Sequence, residues 1–231
     1  MESLDNFPKP SVTIDNVIFG YQHKQVSLLL LNRKEAPFAN TWTLPGGFLR
    51  VNEFETFEQA AKRILMDKTG IADVFLEQLY TFDSPERDPR GRVLSVSYFA
   101  LVNPTKYDIM AGEAANDVQW FDWKNLPPLG FDHAMIVEKA VNRLKTKVLW
   151  QPIGFELLDS PFSIPELHTL YETILDKPFE RRNFYKRFME LDILRKVDTR
   201  RDGGRKRPAD LFEFDEEKYN NLINNGLSFK I

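Results

Sequence analysis

The sequence predicts an α/β protein of two domains, an N-terminal α/β/α sandwich around a mixed sheet and a C-terminal winged helix-turn-helix domain. Three observations predict this architecture. In the first part of the chain, apolar runs with a period of two alternate with helical patterns. In the second part, two helical patterns precede a basic hairpin. The pattern changes near residues 147–154, so we expect domains at 1–148 and 149–231.

The N-terminal domain is expected to contain five strands and two helices. The first helix, 55–69, ends where Gly70 supplies a C-terminal stop. The second helix, 132–147, follows the chain break at Pro127-Pro128 and has Asp132 as its N-terminal cap. The predicted strands are 11–19, 26–31, 74–82, 93–102 and 118–123.

The C-terminal domain is expected to begin with a helix that a capping box at Ser163–Glu166 starts. Its apolar residues recur at spacings of three, four, seven and eight, which gives one apolar face; they are Leu167, Leu170, Tyr171, Ile174 and Leu175. A second helix is predicted over 179–191. Two strands, 193–199 and 211–214, then form a hairpin around Asp202-Gly203-Gly204.

Composition excludes several classes of protein. The apolar fraction of 42% is enough for a packed core. The chain has no cysteine, so neither disulfides nor a thiolate zinc site can form. The N-terminus lacks the features of a secretory signal, and the apolar runs, such as Leu28–Leu31, are too short to span a membrane. We therefore expect a cytoplasmic protein without a membrane partner.

The stretch from Gly46 to Ile71 reads GGFLRVNEFETFEQAAKRILMDKTGI. It resembles the Nudix box, G-x5-E-x7-R-E-U-x-E-E-x-G-U, in which U is apolar. The residues that carry the resemblance are Gly47, Glu55, Ala60, Ala61, Arg63, Leu65, Gly70 and Ile71. The loop between Gly47 and Glu55 is two residues longer than in the pattern, and an insertion is tolerated better in a loop than in a helix.

The box departs from the family pattern where the family has metal-binding carboxylates. Those positions hold Ile64, Asp67 and Lys68 here. Spacings of three and four place them on one helical face, where clustered carboxylates could hold a hard divalent cation. A lysine repels such a cation. We therefore expect a degenerate box with no catalytic residue and no bound metal. The alternative is a Nudix hydrolase of ADP-ribose or a similar compound, for which Mg²⁺ would be needed.

A second motif, Arg87-Asp88-Pro89-Arg90-Gly91-Arg92, precedes the strand 93–102. Arginine suits bidentate contacts with phosphate, although a charged hairpin tip would look similar. The motif resembles the R-D-x-R-G motif of Nudix domains that recognise ADP-ribose. The resemblance implies an effector site. Its expected members are Arg87, Asp88, Arg90, Arg92, Trp42, Phe82 and His133, with Phe38 and Tyr80 as further candidates to stack on adenine.

The segment 129–133 and the residues after it extend the resemblance to the Nudix-related transcriptional regulators of NAD metabolism. In that family a Nudix domain precedes a DNA-binding winged helix domain, and sugar-responsive relatives, including an arabinose regulator, share the layout. The resemblance covers roughly residues 12–214. It implies a homodimer that binds double-stranded operator DNA, with an ADP-ribose-like effector and no required cofactor. A pentose effector stays open as an alternative.

Charge is distributed unevenly along the chain. Residues 177–208 hold twelve Lys and Arg against five Asp and Glu, whereas the whole chain has a net charge of −3. On the second helix, Phe184, Phe188 and Leu191 are expected to face the core. The basic front and the wing predict a nucleic-acid interface, against the alternative of a solvated charged surface. The expected DNA contacts are Arg181, Arg182, Asn183, Tyr185, Lys186, Arg187, Arg200, Arg201, Arg205, Lys206 and Arg207.

Overall fold

The computed structural model describes residues 3, 6–113, 115–201 and 209–226, with the backbone alone at 198–201. The chain divides into two compact units. The first consists of 1–20, 27–102 and 106–140, and the second of 21–26, 103–105 and 141–231. The predicted domains meet at one boundary, between residues 148 and 149. In the structure, two short segments of the N-terminal half, 21–26 and 103–105, also belong to the second unit.

A mixed seven-stranded sheet forms the centre of the first unit, as predicted. Its main order is β3-β2-β1-β6-β5, with β4 paired to β1 and β7 paired to β2. The β1–β6 pair is parallel, and the other pairs are antiparallel. The strands are β1 (Ser11–Gln22), β2 (Gln25–Arg33), β3 (Trp42–Thr43), β4 (Gly46–Phe48), β5 (Phe75–Phe82), β6 (Val93–Val102) and β7 (Ala115–Asp122).

Helix α1 (Phe57–Thr69) packs against the centre of this sheet. Thr56 and Gln59 form a capping box at its start, and Gly70 ends it in the left-handed conformation, with φ of 74°. Its buried face includes Ala60, Ala61 and Ile64, which pack with residues of β1 and β6. The predicted helix began two residues earlier, at 55, because the capping signal of Thr56 was not used.

Helix α2 (His133–Trp150) begins where the sequence predicts it and continues three residues beyond the predicted end. The prediction that Asp132 caps this helix through its side chain is wrong. Both carboxylate oxygens of Asp132 accept hydrogen bonds from the Arg87 guanidinium, 45 residues away in the chain. The Asp132 carboxylate therefore binds Arg87 in place of the backbone N–H groups in the first turn of the helix.

The second unit contains a helical pair and a three-stranded sheet with the order β8-β10-β9. Its elements are β8 (Phe162–Ser163), α3 (Ile164–Leu175), α4 (Arg181–Glu190), β9 (Leu194–Arg201), β10 (Ala209–Phe214) and α5 (Glu216–Asn224). The capping box at Ser163–Glu166 is confirmed. The short strand β8 and the helix α5 were not predicted from the sequence.

Aromatic side chains hold α3 and α4 together. The ring centroid of Tyr171 lies 5.4 Å from those of both Phe184 and Phe188, in edge-on geometry. Leu167, Leu170 and the two phenylalanines are almost fully buried. In the described part of the chain, no helix is long and apolar enough to cross a membrane.

Candidate effector cavity and nucleic-acid interface

The first unit contains an open cavity of about 400 Å³ beside α1. Strands β1, β2 and β4, helix α1 and the loops before β6 and α2 supply its walls. Charged side chains dominate the lining. The cations are Arg33, Arg50, Arg63, Lys68, Arg87 and Arg90, the carboxylates are Asp15, Glu35, Asp67 and Asp88, and the remaining contacts are Thr13, Leu44, Gly46, Gly47, Phe48, Ile64, Phe131 and His133.

Arg87 forms the floor of this cavity. Its side chain is 3% exposed. Its Nε and Nη2 donate to Asp132 over 2.9 and 2.8 Å, and Nη2 also lies 3.3 Å from Asp15. Asp15 in turn accepts a 2.6 Å hydrogen bond from Ser95 Oγ. Two of the three guanidinium nitrogens thus bind carboxylates, and the expected contact of Arg87 with an effector phosphate stays a prediction.

His133 is buried beside the same carboxylate. Its Nδ1 accepts a 2.9 Å hydrogen bond from the Leu44 backbone N–H, so the proton of the neutral ring lies on Nε2, which is 3.6 Å from Asp15 Oδ1. Burial lowers the pKa of His133. Gly46 leaves room for Asp15, because a Cβ at Gly46 would lie 2.1 Å from Asp15 Oδ1.

Arg90 projects from the wall towards solvent, with 44% of its side chain exposed. Buried Asp88 holds it through hydrogen bonds of 2.9 Å from Nε and 2.7 Å from Nη2. The Arg90 hydrogen bond lowers the pKa of Asp88, although burial opposes the shift. The guanidinium carbon lies 5.2 Å from the ring centroid of Phe48 and 6.0 Å from that of Phe131. Asp88 therefore fixes the direction of Arg90 before any ligand binds.

Sequence reasoning missed Arg33 and Phe131. Arg33 donates to the Pro37 carbonyl over 3.0 Å, and its guanidinium carbon lies 5.2 Å from the centroid of the Phe131 ring. Burial and the charge of Arg90 lower the pKa of Arg33. Arg33 belongs to a segment with no motif of its own, whereas Phe131 lies in the segment 129–133, in which only His133 was singled out.

Three of the predicted effector contacts are not part of the cavity lining. The Trp42 ring packs on Phe121 at 4.7 Å, and the Phe82 ring packs on Tyr80 at 5.4 Å. Arg92 donates to the Asp83 carbonyl over 2.6 Å. These contacts lie within the sheet and its loops, and the assignment of the three side chains to the effector stays a prediction.

Ile64, Asp67 and Lys68 occupy the positions at which the Nudix family has metal-binding carboxylates. Ile64 is 1% exposed and packs in the core, while Asp67 Oδ2 lies 3.8 Å from Arg63 and 4.0 Å from Arg50. Glu55 accepts hydrogen bonds of 2.9 and 2.7 Å from Arg63 and one of 2.6 Å from the Arg50 backbone N–H. Among residues 6–113, 115–201 and 209–226, no three His, Asp or Glu side chains are grouped to hold a metal ion. The donor set therefore does not fit the divalent cation of Nudix hydrolases.

The Glu55–Arg63 pair predicts an acid sensitivity. The Arg63 hydrogen bond lowers the pKa of Glu55 to about 2. A depressed pKa means that the pair stabilises the fold above the ordinary glutamate value of about 4.3 and loses this contribution as the pH falls towards 2. We expect Glu55→Gln to melt below the wild type at pH 7, and the difference in melting temperature to shrink from pH 4.5 downwards. A difference independent of pH would contradict this.

The second unit presents a basic helix. Phe184 and Phe188 on α4 face the core as predicted. Leu191, which was expected to face the core, is half-buried, and so is Met189. Glu180 caps the helix by accepting from the backbone N–H groups of Arg182 and Asn183 over 3.0 and 2.7 Å, which lowers the pKa of Glu180. The helix residues expected to contact DNA are all exposed, and so is Glu190; they are Arg181, Arg182, Asn183, Tyr185, Lys186 and Arg187.

This surface has the layout that groove binding needs. The helix has an aromatic back and a polar front with cations at its edges. Lys186 Nζ lies 3.7 Å from Glu190, but both groups are highly exposed, so this pair holds Lys186 only weakly. Of the predicted wing residues, Arg200 and Arg201 lie on β9 with their side chains undescribed, and Arg205, Lys206 and Arg207 lie outside the described residues.

Two family models match the chain. A Nudix domain matches residues 9–140, and the NrtR DNA-binding winged helix domain matches residues 154–214. The cavity lies within the first match, and α3, α4 and the hairpin lie within the second.

Two relatives are similar to this chain over different lengths. The ADPR responsive transcriptional repressor NtrR of Acinetobacter baylyi is 32% identical over 219 residues, which is 93% of this chain and 86% of that protein. An ADP-ribose pyrophosphatase of Methanocaldococcus jannaschii is 36% identical over 129 residues, 56% of this chain and 72% of that protein.

Two crystal structures of Shewanella oneidensis NrtR are similar to this chain. The structure in complex with a 27mer DNA has a TM-score of 0.82 at 33% identity and covers 90% of this chain and 95% of its own. The structure of the Nudix domain with ADP-ribose has a TM-score of 0.57 at 34% identity and covers 62% of this chain and 94% of its own. With both domains matched in order along most of its length, this chain belongs to the NrtR family of Nudix-related transcriptional regulators.

Proposed function

We propose that this protein is a transcriptional repressor that responds to ADP-ribose. The winged helix unit binds operator DNA, and the cavity of the Nudix unit binds the effector. The observation that carries the proposal is the joint presence of a cationic cavity without metal ligands and an exposed basic helix α4. The names of the Acinetobacter and Shewanella relatives support the choice of effector and of repression.

The chemistry of the cavity suits a nucleoside diphosphate. Guanidinium groups bind phosphate oxygens through charge-assisted hydrogen bonds, and Arg90 is held in position for such a contact. Phe48 and Phe131 provide aromatic surface beside the cations, as a base or ribose requires. A neutral pentose could use few of these charges, so we favour ADP-ribose over a sugar effector.

Ligand-induced thermal stabilisation tests the effector assignment. A ligand present at a hundredfold excess over its Kd stabilises the folded state by about 2.7 kcal/mol, so ADP-ribose should raise the melting temperature by several degrees. Arabinose and ribose serve as matched controls, since they carry the sugar hydroxyls without the diphosphate. Stabilisation by a pentose and none by ADP-ribose would replace the nucleotide assignment with the sugar alternative.

Hydrolysis of ADP-ribose is expected to be absent or very weak. Metal-assisted attack on a diphosphate needs clustered carboxylates, and the positions that would supply them hold Ile64, Asp67 and Lys68. Product formation with Mg²⁺ or Mn²⁺, followed by chromatography over hours, measures the activity. Robust turnover that is lost in Asp67→Ala would instead support the hydrolase function of the Methanocaldococcus relative.

We also propose that the protein acts as a homodimer. One chain supplies one helix α4, and winged helix regulators commonly bind two half-sites with a two-fold symmetric pair of recognition helices. Light scattering coupled to gel filtration gives the mass directly, against 27.0 kDa for one chain. A monomer at micromolar concentration in the presence of operator DNA would contradict the proposal.

A further inference from the structure

The surroundings of Lys68 differ from those of the other cations of the cavity. It lies in the last turn of α1, contributes to the cavity lining and is half-buried. Within the part of the chain that the structure describes, no hydrogen-bond or ion-pair partner lies near its ammonium group. An ammonium that is partly withdrawn from water without a counter-charge is unfavourable, and a bound anion would relieve that cost.

The other cations around Lys68 have partners. Arg63 forms two hydrogen bonds with Glu55, and Arg90 forms two with Asp88. Arg50 Nη1 lies 3.2 Å from Glu53. Arg87 is paired at the floor, and Arg33 is held by a carbonyl and an aromatic ring. Carboxylates already neutralise most of these groups, so Lys68 is the cation with the most to gain from an anionic ligand.

The geometry of α1 places Lys68 next to the cavity floor. Residues four apart on a helix lie one above the other, so Lys68 sits one turn beyond Ile64 on the same face. Ile64 is itself part of the lining, and a Cβ built on Gly47 would lie 3.2 Å from the Ile64 side chain. The face that would hold three carboxylates around a metal ion therefore holds the aliphatic Ile64, the Lys68 ammonium group and one carboxylate, Asp67, which lies within 4.0 Å of both Arg50 and Arg63.

We propose that the Lys68 ammonium binds the diphosphate of the effector directly and takes the place of the divalent cation that the residues of this site do not fit. Effector binding then requires no metal ion. The inference rests on the proposed function, because it assumes that ADP-ribose occupies this cavity. Lysine is suited to the task as a compact point charge with three donors on a flexible stem.

Calorimetry with ADP-ribose tests the inference on the full chain. The wild type should bind with the same Kd in EDTA and in Mg²⁺. In EDTA, Lys68→Met should weaken binding roughly tenfold to a hundredfold, the range for loss of a hydrogen bond to a charged group. Lys68→Arg, which keeps the charge, should retain most of the affinity. Thermal unfolding of each variant without ligand checks that the fold is intact.

Lys62→Met is the matched control. Lys62 lies on the same helix, is paired with Glu58 at 2.6 Å and is outside the cavity lining, so its replacement should leave the Kd unchanged. Wild-type binding that disappears in EDTA and returns with Mg²⁺ would overturn the inference alone. A Lys68→Met variant that binds as tightly as the wild type would do the same, as would equal losses in Lys68→Met and Lys68→Arg. Absence of ADP-ribose binding under both conditions would overturn the proposed function together with the inference.

Discussion

Replacing Arg87 with methionine is expected to destabilise the fold by about 3–5 kcal/mol, the range for removing one partner of a buried ion pair. The side chain of Arg87 is 3% exposed, and those of Asp15 and Asp132 are 7% and 11% exposed. Without Arg87, both carboxylates stay in the interior without a counter-charge. Chemical denaturation of the isolated variant measures the loss, with the denaturant dependence checked for a change in slope.

A control variant and a compensating second substitution distinguish this effect from a general dependence of stability on the number of charges. Arg92→Met removes an exposed guanidinium that contacts only a carbonyl in the described structure, and should change stability by less than about 0.5 kcal/mol. Asp132→Asn should recover part of the loss in the Arg87→Met background, because the two groups are directly coupled. If Arg87→Met were as stable as the wild type and lost only effector affinity, the main role of Arg87 would be the phosphate contact expected from the sequence and not the buried ion pair.

Loss of the basic face of α4 is expected to have the second large effect, on DNA binding. Arg181 and Arg187 are placed at the edges of the helix for phosphate contacts, so Arg187→Ala should weaken binding to all sequences and flatten the log–log salt dependence by roughly 0.9. Arg182→Ala and Asn183→Ala should instead relax base preference, at a cost of about 1–3 kcal/mol at particular positions. The arginines predicted for the wing, including Arg205, are expected to act like Arg187.

Selection of binding sites from random duplexes at moderate salt, followed by titration of the selected sites, measures both effects. Lys139→Ala is a matched control, since Lys139 lies in the Nudix unit over the Tyr80 ring and remote in sequence from α4. ADP-ribose should lower the affinity for the selected DNA, and DNA must then lower the affinity for ADP-ribose by the same factor. If the selection enriched no sequence and Arg182→Ala bound DNA like the wild type, the basic face of α4 would be only a solvated charged surface.

The sequence was sufficient to predict elements whose signals are local. The capping box at Ser163–Glu166 and the stop at Gly70 are examples, because each depends on residues within four positions of one another. The mixed sheet was predicted from the alternation of strands and helices, but its strand pairs, including the parallel pair of β1 with β6, were not. The two- and three-residue strands β3 and β4 were missed because so short a run carries no periodicity.

The contacts of the site were harder to predict from the sequence, because the partner of a charged residue depends on distances in the folded structure. Arg87 and Arg90 look equivalent in the sequence, but Arg87 finds Asp15 and Asp132 at separations of 72 and 45 residues, whereas Arg90 finds Asp88 two residues away. One is thereby drawn into the interior and the other kept at the cavity wall. Arg33 and Phe131 were missed for the same reason, since only the folded sheet brings them together.

The clamp of Asp88 on Arg90 has a consequence for signalling speed. The guanidinium is oriented in the ligand-free structure, so an arriving effector meets a recognition group that needs no rearrangement, and less binding energy is consumed in ordering it. Differences in affinity among such preformed sites reside mainly in how long the ligand stays, not in how fast it arrives. The occupancy of this cavity would then follow a rising effector concentration without a lag. When the effector concentration falls again, the dwell time of the bound effector would set how quickly the cavity empties.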